Sequence, residues 1–299
     1  TVDLESYEKE NPRDFTLLKR STLKELKKGI FYKTRWGNVR PSWHLECPVM
    51  SLKYLGETYD IHTSGIDLVF PHHENTIAIT RALTGKPTAN YWLHNELVTI
   101  NGRKNPPDED SEYTIRNIIG RGYQGRVIRY WLISRHYRKP VSFSYKQLDM
   151  AAKTLSNMDK FILKLHYTRE GQSSVEIDQL LYDLKNSFTA YMDDDLNIAP
   201  ALAGLFRVTS RLNALMDKNG IANDDREKVI ECLKATDSVL GFIDFSPEKH
   251  DEKIEKLVKE REDARKAGQW DKADSIRERL NEMGVELTDT RGRTTWRKR

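Results

Sequence analysis

Apolar residues along this chain recur with two different patterns, and the switch between them falls near Ser144. Upstream, short apolar runs alternate with amphipathic stretches. From Pro41 to Leu55 the apolar positions keep helical spacing, and Gly56 is placed to stop the helix. Tyr59–His62 and Asp67–Phe70 read as strand ends. Pro71 suits the first position of a helix running to about Leu83, with Gly85 just past its end. Leu97–Ile100 reads as a strand before an Asn101-Gly102 turn, Thr114 as the cap of a short helix, and Arg126–Arg135 as another helix. This alternation predicts an α/β layer.

Downstream the helical period dominates. It covers Lys146–Tyr167, Ile177–Met192, Ala199–Met216 and Asp225–Leu240, with breaks at Glu170-Gly171, Asn197 and Asn219-Gly220. Four such segments predict a helical bundle. Phe245-Ser246-Pro247 reads as a linker. Beyond it come two charged helices, about Asp251–Lys266 and Asp271–Met283, and a small hairpin pairing Val285–Leu287 with Thr294–Trp296.

Composition narrows the class. At 299 residues, 38% hydrophobic and 31% charged, the sequence suits a soluble protein of two or three domains, with no membrane partner expected. The first residues show no basic segment followed by an apolar one, and two cysteines are too few for a disulfide framework. A cytoplasmic or organellar location is therefore expected. The net charge of +4 is unevenly spread: Thr16–Arg40 holds eight Lys/Arg against one acid, and Arg291–Arg299 holds five cations and no acid. Such stretches fit either a phosphate-rich partner or a solvated surface.

Several residues carry candidate chemistry. Cys47 and His72 are zinc-type ligands, but a site needs at least three, and the residue one turn beyond His72 is Thr76. The pair reads equally as a buried thiol and a helix-cap histidine, with His73 and Glu74 expected to point elsewhere. Trp43, one turn before Cys47, offers either a flat wall to a small ligand or a core ring. Asp67 is placed to hydrogen-bond a ligand at the carboxyl edge of a sheet. Lys104 is a candidate phosphate clamp, followed by Pro106 and Pro107, which lack amide donors, and by the acids Asp108, Glu109, Asp110 and Glu112, which repel a triphosphate. In the tail, Arg265, Trp270, Asp274, Asp289 and Trp296 can read and stack on unpaired bases, or form a salt-bridged helical hairpin around a core tryptophan.

Taken together, the motifs resemble the cysteinyl-tRNA synthetases, class I aminoacyl-tRNA synthetases. The likeness runs through Asn11-Pro12-Arg13-Asp14-Phe15, Trp43-His44-Leu45-Glu46-Cys47, the stretch Lys53–His62, Pro71-His72-His73-Glu74-Asn75, Tyr91-Trp92-Leu93-His94, His136-Tyr137-Arg138, Met192–Asn197, Ala264-Arg265-Lys266-Ala267 and Thr294–Lys298. The resemblance implies an α/β, Rossmann-like, nucleotide-binding catalytic half-domain over residues 1–144. An anticodon-binding-type helical bundle over 145–247 and a small α+β anticodon-recognition domain over 248–299 would follow. It also implies ATP with Mg2+ and a zinc held by two cysteines, a histidine and a glutamate. Cys47 and His72 match two of those ligands, Thr76 stands at the glutamate position, and neither the first cysteine nor the His-x-Gly-His signature occurs in the sequence. The family's mobile phosphate loop aligns to Lys104–Asp108, where Pro107 replaces its second lysine.

By the same resemblance Trp43 lines the amino-acid pocket, Asp67 and Lys104 face ATP, and Lys104 is the remaining catalytic lysine. Arg265, Trp270, Asp274 and Asp289 fall at positions that recognise the tRNA anticodon, each with the expected residue type. The expectation is a chain that binds tRNA(Cys), with zinc lost. Charging would occur only with an N-terminal catalytic half, supplied by another chain or left out of this sequence. The alternative is a non-catalytic tRNA-binding chaperone, regulator or component of a larger assembly.

Overall fold

Thr22 opens the first helix because its hydroxyl accepts the Glu25 amide at 3.3 Å while the Glu25 carboxylate accepts the Thr22 amide at 2.7 Å. The computed structural model describes residues 14–100, 103–104, 113–246, 252–290 and 293–298. It divides into two compact units: Thr1–Asn105 with Tyr137–Ser142, and Pro106–His136 with Phe143–Arg299.

In the first unit β1 (Leu18–Arg20), α1 (Leu23–Lys27), β2 (Tyr32–Thr34) and β3 (Gly37–Pro41) form an antiparallel meander with strand order β1-β3-β2. β3 runs straight into α2 (Trp43–Tyr54), and the Ser42 amide donates to the Leu17 carbonyl at 2.9 Å. Next, β4 (Tyr59–Gly65), α3 (Glu74–Thr84) and β5 (Ala89–Asn95) form a β-α-β unit whose strands pair in parallel, Ile61 opposite Tyr91 and His62 opposite Trp92. This pair is a two-stranded sheet among the described residues, and Ile61 and Tyr91 are both exposed. β6 (Val98–Ile100) and β7 (Arg103–Lys104) pair antiparallel and share a sheet with β8 (Val141–Phe143), where the Val141 amide donates to the Leu97 carbonyl.

The expected strand at Asp67–Phe70 is absent. The chain there makes one tight helical turn, Ile66–Leu68, and then a wide one, Val69–His73. Pro71 forces Phe70 into extended backbone (φ −125°, ψ 132°), which delays regular α3 to Glu74, three residues later than expected. A Cβ on Gly65 would lie 2.5 Å from Asp67 Oδ1, so glycine lets that carboxylate fold back against the strand end.

The second unit carries α4 (Ile115–Gly120), capped by Thr114 as expected, and α5 (Gly125–Ile133). The bundle follows: α6 (Tyr145–Tyr167), α7 (Val175–Asp193), α8 (Ile198–Asn219) and α9 (Asn223–Leu240). On α6 the buried positions Leu148, Ala151, Leu155, Met158, Ile162 and Leu165 repeat at alternating spacings of three and four, the apolar seam of a packed helix. Buried Asp225 accepts Ser173 Oγ and the Ser174 amide (2.9 Å), fixing the entry to α7. Arg126 grips Asp159 with both terminal nitrogens, at 2.7 and 2.6 Å, joining α5 to α6.

Within the same unit, α10 (Glu252–Lys266), α11 (Trp270–Glu282) and the hairpin β9 (Val285–Thr290) with β10 (Arg293–Lys298) build a separate small core. It consists of Ile254, Leu257, Val258, Ile276, Leu280 and Val285. The hairpin is longer than expected, and Leu287 faces Trp296 in its register. Among the described residues, no helix is long and apolar enough to cross a membrane.

Candidate active site and nucleic-acid interface

The α2 repeat of 3.6 residues brings Trp43, His44 and Cys47 to one end of the helix. Across from them stand His72 and His73 before α3, His62 on β4, and Trp92 and His94 on β5. The rings form a continuous stack. Trp43 lies flat on His72 (centroids 4.4 Å apart, planes at 12°), and His72 Nδ1 is 3.0 Å from His44 Nδ1. His73 touches His62 edge-on at 5.1 Å and stacks on His94 at 5.1 Å, while His62 stacks on Trp92 at 4.3 Å. The Tyr59 hydroxyl is 2.6 Å from His62 Nδ1.

His73 therefore does not point away, as its helical position suggested. It is buried among these rings, because the wide turn at Val69–His73 rotates it inward. His44, His62, His73 and His94 were not singled out as site residues. One signal was available: five of the chain's eight histidines fall between His44 and His94.

Burial is the main force on their protonation. It pushes His44, His62 and His72 below the ordinary histidine range, and His73 down to about 4. At neutral pH these four rings are uncharged, so they offer hydrogen bonds to a polar ligand and no positive charge to phosphate. Among the described residues, both ring nitrogens of His73, His94 Nδ1, Thr76 Oγ1 and Thr80 Oγ1 are buried without a hydrogen-bond partner. Each such group costs about 1–3 kcal/mol when left unmet. A polar ligand or a completing protein segment would recover that.

A pH dependence follows. The unfolded chain titrates His44, His62, His72 and His73 near 6.5 and the folded chain lower, so stability is full above about 6.5 and is lost as pH falls toward about 4. By calorimetry, the melting temperature of this unit is expected to drop on the order of 5 °C between about pH 7 and about pH 5. The His73→Phe variant is expected to show a flatter profile. A midpoint that stays constant over that range contradicts the burial argument.

Among the described residues no three His, Cys, Asp or Glu side chains converge on one point. Burial, then the Glu46 charge, raises the Cys47 thiol pKa, which opposes the thiolate a metal needs. Thr76, fully buried on α3, brings a neutral hydroxyl where a carboxylate would serve. Asp67 sits two residues past the carboxyl end of β4, exposed, and its charge only partly opposes the burial that lowers the His73 pKa. Lys104 belongs to β7, paired with Thr99, and the segment Asn105–Glu112 lies outside the described residues.

The tail presents a different surface. Trp270 opens α11 with 62% of its surface exposed, and Asp274, one turn on, is exposed beside it. Arg265 is exposed near the end of α10. Trp270 is thus not a core ring: Ile276, Leu280 and the α10 residues fill that place. Asp289 lies opposite Thr294 in the hairpin.

Three family models match this chain: the tRNA synthetases class I (C) catalytic domain over residues 2–153, the DALR domain over 187–244, and the cysteinyl-tRNA ligase anticodon binding domain over 248–297. Curated cysteine–tRNA ligases resemble it along 97% of its length. They include those of Thermodesulfovibrio yellowstonii (38% identical), Methanosarcina acetivorans (37%) and Chlamydia felis (36%). The chain spans 63%, 62% and 61% of those relatives. Among solved structures, an Agrobacterium radiobacter LeuRS in a ternary complex with tRNA and LeuAMS shares the fold, with TM-score 0.53 and 13% identity. That match covers 75% of this chain and 36% of the other.

Proposed function

Because this chain belongs to the cysteinyl-tRNA synthetase family, we propose that it serves cysteine–tRNA ligation by recognising tRNA(Cys) through its C-terminal domains. The observation that carries this reading is the exposed Trp270, set beside Asp274 on a helix whose core is complete without it. A flat ring in water adds little to folding and is well suited to stack on an unpaired anticodon base, while Arg265 and Asp274 offer donor and acceptor to base edges.

On the catalytic side the same proposal assigns a dependent role. The neutral rings of His44, His62, His72 and His73, with Trp43, are assigned to the amino-acid site. Asp67 and Lys104 are left to face ATP. The parallel pair β4–β5 is narrow for an α/β sheet, which normally carries several strands covered on both faces. Further parallel strands, from a separate half chain or another segment, would complete it and supply cationic support for the phosphates of ATP with Mg2+.

Filter binding of labelled tRNA(Cys) tests the tail. Trp270→Ala and Arg265→Ala are each expected to weaken binding about tenfold or more, since one base stack or charged contact is worth about 1–3 kcal/mol. Binding equal to the unmodified chain in both variants would overturn the tail reading.

A further inference from the structure

Arg261 on α10 is 5% exposed, in a domain whose apolar core is small. A buried guanidinium carries a desolvation penalty that an apolar side chain of similar volume avoids, so stability does not account for it. It donates through Nη1 to Thr294 Oγ1 at 3.1 Å, and Thr294 is itself 5% exposed. The next residue on α10 completes the hold, since the Glu262 carboxylate accepts the Thr294 amide. Two neighbouring residues of one helix thus fix one residue of β10 by its side chain and by its backbone.

The composition of β10 shows why such a hold matters. β9 is anchored through Val285, 2% exposed in the core. β10 reads Arg293-Thr294-Thr295-Trp296-Arg297-Lys298, with Trp296 its single apolar residue. Polar strands specify register weakly, and two consecutive threonines do not distinguish one alignment from the next. A slip by one residue exchanges the two faces of the sliding strand. In the register observed, Thr294 stands opposite Asp289 and Thr295 opposite Thr288. Asp289 is among the residues assigned to the anticodon, so the group that fixes Thr294 also fixes the strand alignment around Asp289.

We propose that Arg261, with Glu262, locks the register of the β9–β10 hairpin: it is a positioning residue that sets Asp289 for reading one anticodon base while staying buried itself. This inference rests on the tRNA reading above. It separates reading a base from holding the tRNA, because Trp270 and Arg265 belong to the helices and not to the hairpin.

The test measures filter binding of the full chain to tRNA(Cys) and to transcripts with single anticodon substitutions. At the position read through Asp289, the parent is expected to prefer tRNA(Cys) about tenfold or more. That position is the one whose preference Asp289→Ala removes. The Arg261→Met/Thr294→Val double variant deletes both partners of the buried bond, a change that can be nearly neutral for stability. It is expected to keep hydrogen-exchange protection over residues 252–298, while the preference at that position falls to within about twofold. Thr294→Ser, which keeps the acceptor, should discriminate as the parent does. Glu286 and Arg297 are directly opposed, and opposed strand residues lie within disulfide reach. Adding Glu286→Cys/Arg297→Cys to the double variant is expected to restore the preference when oxidised and to lose it again on reduction. Loss of protection in the double variant would make Arg261 a stabilising residue and overturn the proposal. A preference that survives in the protected double variant, that Thr294→Ser abolishes, or that the oxidised disulfide fails to restore would overturn it too. A parent that binds every transcript equally, or an Asp289→Ala variant that loses no preference, would instead overturn the anticodon reading beneath it.

Discussion

Replacing Leu280 with alanine is expected to melt the C-terminal domain and, on the proposed reading, to remove tRNA binding with it. Leu280 is fully buried at the centre of a core made from Ile254, Leu257, Val258, Ile276 and Val285. Truncating a buried leucine costs about 2–5 kcal/mol, transfer and cavity together. A domain of this size, with so few core residues, holds only a few kcal/mol in reserve. The loss should therefore unfold α10 and α11 while the bundle, with its own seam along α6, stays folded. Hydrogen exchange would show protection lost in residues 252–298 and kept in 145–240. Trp270 and Arg265 would both lose the helices that hold them, so tRNA affinity should fall further than in either single substitution. Full protection throughout the tail would contradict the idea that this small core alone supports the interface.

Much of this architecture is legible in the sequence. The six-position seam from Leu148 to Leu165 fixes α6, and Thr114 and Gly85 mark a helix start and a helix end where they were expected. The errors have local causes. Apolar Leu68, Val69 and Phe70 read as a strand because their hydrophobicity matches one, yet Gly65, the folded-back Asp67 and Pro71 turn the chain instead. The tail's exposed tryptophan could be read in advance only as one of two alternatives, and its neighbours Ile276 and Leu280 decided which.

The histidine cluster was less legible. Its members come from two helix starts and two parallel strands, and the pairing of His62 with Trp92 depends on a register that spans a whole crossover. Spacing along the chain does not report such a contact. The crowding of histidines between His44 and His94 was the available clue.

Adenylate formation develops charge on phosphates, which calls for fixed cations or dipoles aimed at them. His44, His62, His72 and His73 are held neutral by burial, and Asp67 brings negative charge. Beyond Lys104 the sequence supplies two prolines and four acids, Asp108, Glu109, Asp110 and Glu112. The most direct test is cysteine-dependent ATP–pyrophosphate exchange, run on a preparation already shown to bind tRNA(Cys). Exchange at background is expected for this chain alone. Exchange above background from the chain alone, dependent on both cysteine and ATP, would contradict it.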